Sequence, residues 1–547
     1  MKIDKNLYKI FLEEMESLEN FRVAFASLHP GATLDQEDPD VKRLIEAMSL
    51  LSARTRLAGL KNISAIHRRI FQQFFSYLLT PLPSMAILQA LPTGHLADTL
   101  FFPRGSEIAV SPESGGTAIL RTLHDLRILP ISMIKTEMLL LPNKGFRLCL
   151  HFASAFERNE KIGNLKFFIT HLNNYEASLR VLFNLKYHLK KASVVFDKKV
   201  TETTSGIPCG ASFGIPPGDE DDDLVHPLQK ERLFFHFPWQ ELFFNVQVPD
   251  PEANWNYFTI CLDLDESWPK NLVLNQDMFQ LFATPIINLR QAMAQPFICN
   301  GTKEHYSIRH PEMEHGFELH SVRGVYEVTK EGMSPIKPGI LSMSAPSYEI
   351  EEIINSERRN SQSLNLHFPQ AFLEPKTIAI DAFWFQPWFT ETLSQKQAVT
   401  PFSRGSVGLK WELLVNLVSH TENFFHDNID GFLHFIDLTN RSALNRNDLM
   451  DILQAIGVMQ QAQFKQLCEL LVDVRIEKVL KRSKGMSGML KHRYVLCFQE
   501  YDSALQPLME TFLTHMENIL TAWLSDVNIE VVKEILGKDS SKRQEIK

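Results

Sequence analysis

Apolar residues recur at helical spacing from about Leu7 to Leu79, which predicts an all-helical first segment. Asp38-Pro39-Asp40 supplies an N-cap acceptor, a proline at the first helical position and an acid for the helix dipole. Val41, Leu44, Ile45, Met48 and Leu51 then form one stripe. A further helix carries Ile63, Ile66, Ile70, Phe74 and Leu78 and is expected to stop before Pro81 and Pro83. With Leu7, Phe11, Phe21 and Phe25 ahead of them, these stripes hold more apolar surface than a stand-alone bundle covers, so part of it must be covered by the rest of the chain or by another subunit. The candidate interface residues are Phe11, Leu44, Met48, Ile70 and Phe74.

After Pro83 the pattern changes to short alternating or apolar runs between Gly and Pro, as in 84–90, 118–123, 128–134 and 146–152, which predicts strands. A strand is expected over 162–172 and a helix over 175–185, followed by an acidic, proline-rich loop at 214–223. Strands are predicted again at 242–248, 257–264 and 324–328, while 351–375 is largely polar and breaks the pattern. The last third mixes strands (377–383, 494–498) with helices over 410–419, 447–453 and 505–524. In the last of these Leu505, Leu508, Phe512, Met516, Ile519 and Trp523 share one face that should turn to a core. The predicted class is α+β multidomain: a helical segment 1–82, β-rich domains 83–225 and 226–349, a polar connector 350–376, a mixed domain 377–530 and a tail 531–547.

A chain of 547 residues is too long for one ordinary core. Its 44% hydrophobic and 22% charged residues are those of a globular protein. The formal net charge of -9 gives no electrostatic reason for nucleic-acid wrapping or docking on anionic lipid. Six dispersed cysteines without a CxxC pair read as reduced thiols in a cytosolic protein, and no apolar run reaches the roughly 18 residues of a membrane span. No signal peptide is apparent, because Glu13, Glu14 and Glu16 interrupt the N-terminal segment. The 39 phenylalanines, many in pairs such as Phe243-Phe244, belong mostly to cores, with the remainder suited to protein contacts.

Candidate chemistry is sparse. Gly210-Ala-Ser212-Phe-Gly214 matches the nucleophile-elbow pattern, but Pro216, Pro217 and five acids follow where a helix is needed. His305, His310, His315 and His320 recur every five residues, a spacing that converges them on no single face of a strand or helix, so no metal site is expected. Asp427-Asn-Ile-Asp-Gly431 lacks the ligand positions of a calcium loop. Neither GxxxxGK[ST], GxGxxG nor HExxH occurs. No catalytic, cofactor-binding or metal residue is therefore assigned. An enzyme whose site is scattered along the chain is the alternative, and a secreted effector or a phage-type tail protein a third.

Several stretches resemble the TssF family of type VI secretion baseplate proteins. They are Phe11-Leu-Glu-Glu-Met15, His29-Pro30, Asp38-Pro-Asp-Val-Lys-Arg-Leu-Ile-Glu46, Leu51-Ser-Ala-Arg54, Leu79-Thr-Pro-Leu-Pro-Ser-Met-Ala-Ile87 and Phe102-Pro-Arg-Gly-Ser-Glu107. Farther on come Phe235-His-Phe-Pro238, Phe243-Phe244 and Phe279-Gln-Leu-Phe-Ala-Thr-Pro-Ile-Ile-Asn-Leu289. Order and spacing match over most of residues 1–530. The chain departs from the family at 378–389, where Asp381-Ala-Phe-Trp-Phe-Gln386 replaces a cysteine-containing segment. The resemblance implies a cytoplasmic, non-enzymatic wedge component of a contractile injection machine. In such a wedge two copies embrace one TssG-like subunit, alongside a TssK-like adaptor, a TssE-like sheath initiator and a VgrG-like spike hub, with no cofactor.

Overall fold

The computed structural model describes residues 5–29, 38–112, 116–215, 226–312, 316–339, 345–354, 360–369, 374–392, 397–401, 408–425, 431–481, 489–524 and 527–536. The chain forms two compact units, one of Met1–Ser76 with Phe425–Asn440 and one of Tyr77–Phe424 with Arg441–Lys547.

The first unit is helical: α1 spans Lys5–Leu28, α2 Pro39–Phe75 and, from far along the chain, α5 spans Gly431–Thr439. Asp38 caps α2 as expected, its carboxylate accepting from the Asp40 amide at 2.9 Å, with Pro39 opening the helix. The two helices expected between Val41 and Leu78 are one 37-residue helix, because no proline or glycine pair interrupts Val41–Phe75 and the lone Gly59 is tolerated. Phe71 packs at ring-centroid distances of 4.6, 4.9 and 6.4 Å against Phe425, Phe432 and Phe435, which gives this unit an aromatic core.

The second unit is β-rich. A six-stranded sheet runs in the order Gln397–Pro401, Glu107–Pro112, Ala118–Thr122, Ala283–Ile287, Met85–Pro92, Leu409–Val418. An eight-stranded sheet is ordered Phe279–Leu281, Gly163–Ile169, Phe243–Val248, Ile207–Phe213, Leu189–Phe196, Trp255–Leu264, Phe146–Arg158, Ile131–Leu140. A third sheet is built around Lys376–Phe385 and Glu318–Thr329. Helices α3 (Tyr175–His188), α4 (Pro227–His236), α6 (Arg446–Ile456), α7 (Ala462–Leu470) and α8 (Gln506–Trp523) complete it. A three-stranded sheet, Leu471–Lys481, Met489–Gln499 and Asn528–Leu536, packs on α8. Asn445 and Asp448 close a capping box at the start of α6, and Gly457, at φ 96°, ends it in the left-handed conformation that glycine adopts most readily.

Two expectations are corrected. Residues 410–419 form a strand, Leu409–Val418, paired with Met85–Pro92. Trp411, Leu413 and Leu417 alternate into the sheet's core, a period of two that the local sequence does not separate from a helical one. The polar stretch expected as a connector carries strands Ser347–Ile354 and Asn360–His367, antiparallel to each other. Tyr348 and Leu364 are buried from one face of this pair, and its remaining polar residues had masked the alternation. The six-stranded sheet also interleaves strands from 83–225, 226–349 and 377–530, since ladder hydrogen bonds are indifferent to sequence distance.

Candidate functional site

Along α1, Phe11, Glu14, Leu18 and Arg22 lie on one half-buried or buried stripe, and Glu14 accepts from Ser52 Oγ at 2.7 Å and pairs with Arg56 at 2.9 Å. These contacts fix α1 antiparallel to the first half of α2. Toward the α1–α2 connection the helices part around a groove of about 430 Å³ lined by Leu12, Met15, Arg22, Val41 and Ile45. Arg22 is held there by Glu19 at 3.0 Å.

Four of the five candidate interface residues are exposed: Leu44 by 63%, Met48 by 50%, Ile70 by 42% and Phe74 by 63%. The fifth, Phe11, turns into the half-buried stripe of α1. Leu51, Ile63 and Ile66 on α2 and Phe21, Val23 and Leu28 on α1 are exposed as well. Large apolar side chains thus stand exposed along both helices.

The motifs examined for chemistry come apart. Ser212 sits within strand Ile207–Phe213, opposite Asn245 of the neighbouring strand, and not on a strand-to-helix turn. His305 is exposed and bonds Asn365 at 2.6 Å, whereas buried His310 accepts from the Glu312 amide at 3.0 Å and lies against Phe317 and Trp384. His320 is buried elsewhere, with Pro81 O at 3.0 Å. His315 and residues 427–430 lie outside the described residues. Among the described residues no group of three or more His, Cys, Asp or Glu is placed to hold a metal, and the six cysteines are free thiols.

Two polar clusters escaped the sequence reading. The chain enters the β-rich unit through residues 77–84, and donors from distant segments take nearly every carbonyl there. Arg232, fully buried, donates to Tyr77 O and to Thr80 O at 3.0 Å. Asn423 donates to Leu79 O at 2.9 Å, His320 to Pro81 O at 3.0 Å, the Thr421 amide to Leu82 O at 2.9 Å and His236 to Pro83 O at 2.9 Å. Carbonyl acceptors require the Nε2–H tautomer at both histidines, and burial pushes each imidazole's pKa down to about 4, keeping it neutral. Pro81 and Pro83 lack amide hydrogens, so a ladder cannot hold this segment by itself and side chains do so. The signal was present in Phe235-His-Phe-Pro238, whose His236 shares a motif with the aromatics but not their role.

The second cluster locks α8 to α4. His515 Nδ1 lies 2.7 Å from Glu231 and Nε2 3.2 Å from Glu241, with the ring stacked on Phe234 and Asn518 donating to Glu231 at 2.9 Å. Burial alone would lower its pKa, but the two facing carboxylates outweigh burial and hold the imidazolium up to about 9. A buried cation bracketed by two acids and covered by aromatic rings fastens α8 to α4.

The description "Type VI secretion system, TssF" belongs to the family whose profile matches residues 3–340. In three dimensions the chain is similar to one in a cryo-electron microscopy structure of the type VI secretion system TssK-TssF-TssG baseplate subcomplex. There the TM-score is 0.70 at 16% identity, over 91% of this chain and 97% of that one. It is also similar to a chain of the baseplate complex from the type VI secretion system, with TM-score 0.61 at 15% identity over 97% of both. At such identity the likeness speaks for the fold. No curated protein sequence matches.

Proposed function

The chain belongs to the TssF family of the type VI secretion system, and from that premise we propose that it is a non-enzymatic, structural subunit of the secretion baseplate. It joins a TssG-like subunit and a TssK-like adaptor, the two proteins named with TssF in the similar baseplate subcomplex. The observation that carries this reading is the apolar surface left open on α1 and α2, above all Leu44, Met48, Ile66, Ile70 and Phe74. An obligate interface buries helix faces as a domain core does, and such a surface in water is unstable without its partner. A wedge of two copies around one TssG-like subunit would use these stripes as a shared bundle. A TssE-like sheath initiator and a VgrG-like hub then join the platform at the cytoplasmic face of the inner membrane. No helix among the described residues is long and apolar enough to cross a membrane.

Co-expression with the TssG-like and TssK-like subunits of the same system tests this. The native chain should co-purify with both and be far more soluble than when expressed alone. Met48→Asp places a carboxylate in an apolar interface, a burial that costs several kcal/mol, and should abolish co-purification while leaving the circular dichroism of the isolated chain unchanged. A native chain that captures neither subunit defeats the assembly reading. An intact complex with Met48→Asp removes that stripe from the bundle.

A further inference from the structure

In the eight-stranded sheet Phe146–Arg158 and Trp255–Leu264 run side by side and antiparallel, with Cys149 directly opposite Cys261. Tyr257 O accepts from the Asp197 amide at 2.9 Å, the Tyr257 amide donates to the Asp197 carboxylate at 2.9 Å, and the Asp265 amide donates to His188 O at 3.0 Å. Both residues thus direct backbone groups toward the side of Leu189–Phe196 and away from Phe146–Arg158. Alternation gives Cys261, between them and also odd-numbered, the same direction. Cys149 and Cys261 are therefore a non-hydrogen-bonded pair across their ladder, in which Cα atoms stand about 4.5 Å apart and side chains approach most closely. A disulfide spans Cα separations of about 4.4 to 6.8 Å.

The other four cysteines have no such partner. Cys209 faces Ala192, Cys299 faces Lys376, Cys497 faces Asp473, and Cys468 lies on α7.

The pair has a cover of its own. Cys149 and Cys261 are buried in a small cluster with Val195 and Val200, and Leu139 packs at its side. Val200 belongs to the turn that follows Leu189–Phe196, and among residues 197–203 it is the one buried side chain. Arg147, paired with Asp263 at 2.6 Å, holds that turn down by donating to Thr201 O at 3.2 Å and Thr204 O at 2.7 Å. A hydrogen bond between the two thiols, helped by the charge of Arg147, holds the Cys261 thiol below its ordinary value. Cys261 is accordingly the more nucleophilic sulfur of the two.

We propose that Cys149 and Cys261 are an oxidation site, a dithiol beneath the 197–204 turn that hydroperoxides convert reversibly to a cross-strand disulfide. The Cys261 sulfur attacks a peroxide oxygen, the O–O bond breaks, and the departing hydroxide leaves as water with the thiol proton. The Cys149 sulfur then attacks the sulfenic sulfur of Cys261, the S–S bond forms, and the hydroxyl leaves with the second thiol proton as another water. The two thiols lose two electrons and the peroxide gains them. Low-molecular-weight thiols return the pair to the reduced form, as suits a transient disulfide in a reducing compartment.

The full chain, co-purified with its subunits or alone, is reduced, treated with hydrogen peroxide, alkylated under denaturing conditions and mapped without reductant. The expected product joins the peptides of Cys149 and Cys261, lowers the chain mass by about 2 Da and regains both thiols with dithiothreitol. Val200→Gly removes the plug and should speed formation of the link roughly threefold. The proposal is overturned if Cys149 and Cys261 stay alkylatable after the treatment, if either joins another cysteine instead, or if oxidation runs on to sulfinic acid without a link. An unchanged rate in Val200→Gly overturns the turn as its cover. None of these results bears on the assembly reading, whose own test is co-purification.

Discussion

Helices α2 and α8 are built from the same kind of sequence and end in opposite circumstances. Each opens with a proline in its first turn and carries an apolar stripe at helical spacing. On α8 that stripe disappears: Leu508 is 2% exposed, and Met509, Phe512, Met516, Ile519 and Leu520 are fully buried under α4 and the three-stranded sheet. Among the described apolar side chains of α2 only Ala53, Phe71 and Phe75 are buried, while nine large ones from Leu44 to Phe74 remain open. Periodicity thus tells that a helix has an apolar face, not which chain covers it. The uncovered face of α2 is the surface that the proposed assembly would complete.

The comparison breaks most visibly at the two faces themselves. Phe512→Ala should destabilise the β-rich unit by about 3–5 kcal/mol, read as a lowered denaturant midpoint, because it opens a cavity in a core that cannot collapse. Met48→Asp should move the midpoint of the isolated chain by no more than about 0.5 kcal/mol, as a surface change does. Equal losses would mean that both faces are core.

Next in size is the response to pH, which should be confined to the β-rich unit. His515 has its pKa raised from 6.5 to about 9, so its contribution is fully present below pH 6.5 and lost as pH rises through 9. That loss amounts to about 3 kcal/mol. His236 and His320 have theirs lowered to about 4, so their contribution is present above pH 6.5 and lost as pH falls toward 4, again about 3 kcal/mol each. Thermal melts across pH 4 to 10 should therefore show a maximum near pH 6.5 that falls away on both sides, with the alkaline limb between about pH 6.5 and 9 flattened in His515→Leu relative to its own maximum. In α1 and α2, Glu14→Gln removes an exposed pair with Arg56 and should leave no measurable pH signature. The smallest effect is expected from Ser212→Ala, which should change neither melting nor co-purification. A loss of secretion with normal assembly would return that strand to consideration as a site.

Local chemistry made much of this readable. The Asp38-Pro39-Asp40 start of α2, the helix after Asn174, and α6 and α8 follow from caps and periodicity, which act within a few residues. The strand at Leu409–Val418 was not readable, because its apolar positions satisfy both periods and only pairing with Met85–Pro92, more than 300 residues earlier, selects the extended form. The pair at Ser347–Ile354 and Asn360–His367 was missed for the converse reason: one buried face in polar sequence resembles a linker until a partner strand fixes the register.

The apolar stripes, the absence of an assembled active-site motif and the ordered family motifs were properties of the sequence alone, because each depends on residue identity and short spacing. Which stripes are buried was decided by the tertiary structure, as it brings α3, α4 and the strand Asn528–Leu536 onto α8 and leaves the far end of α2 bare on one side. The same holds for the buried donors around residues 77–84. Arg232, His236, His320 and Asn423 come from segments separated by up to 344 positions from the carbonyls they serve. A buried polar side chain acquires its role only from the partner that desolvation obliges it to find, and that partner is set by the fold.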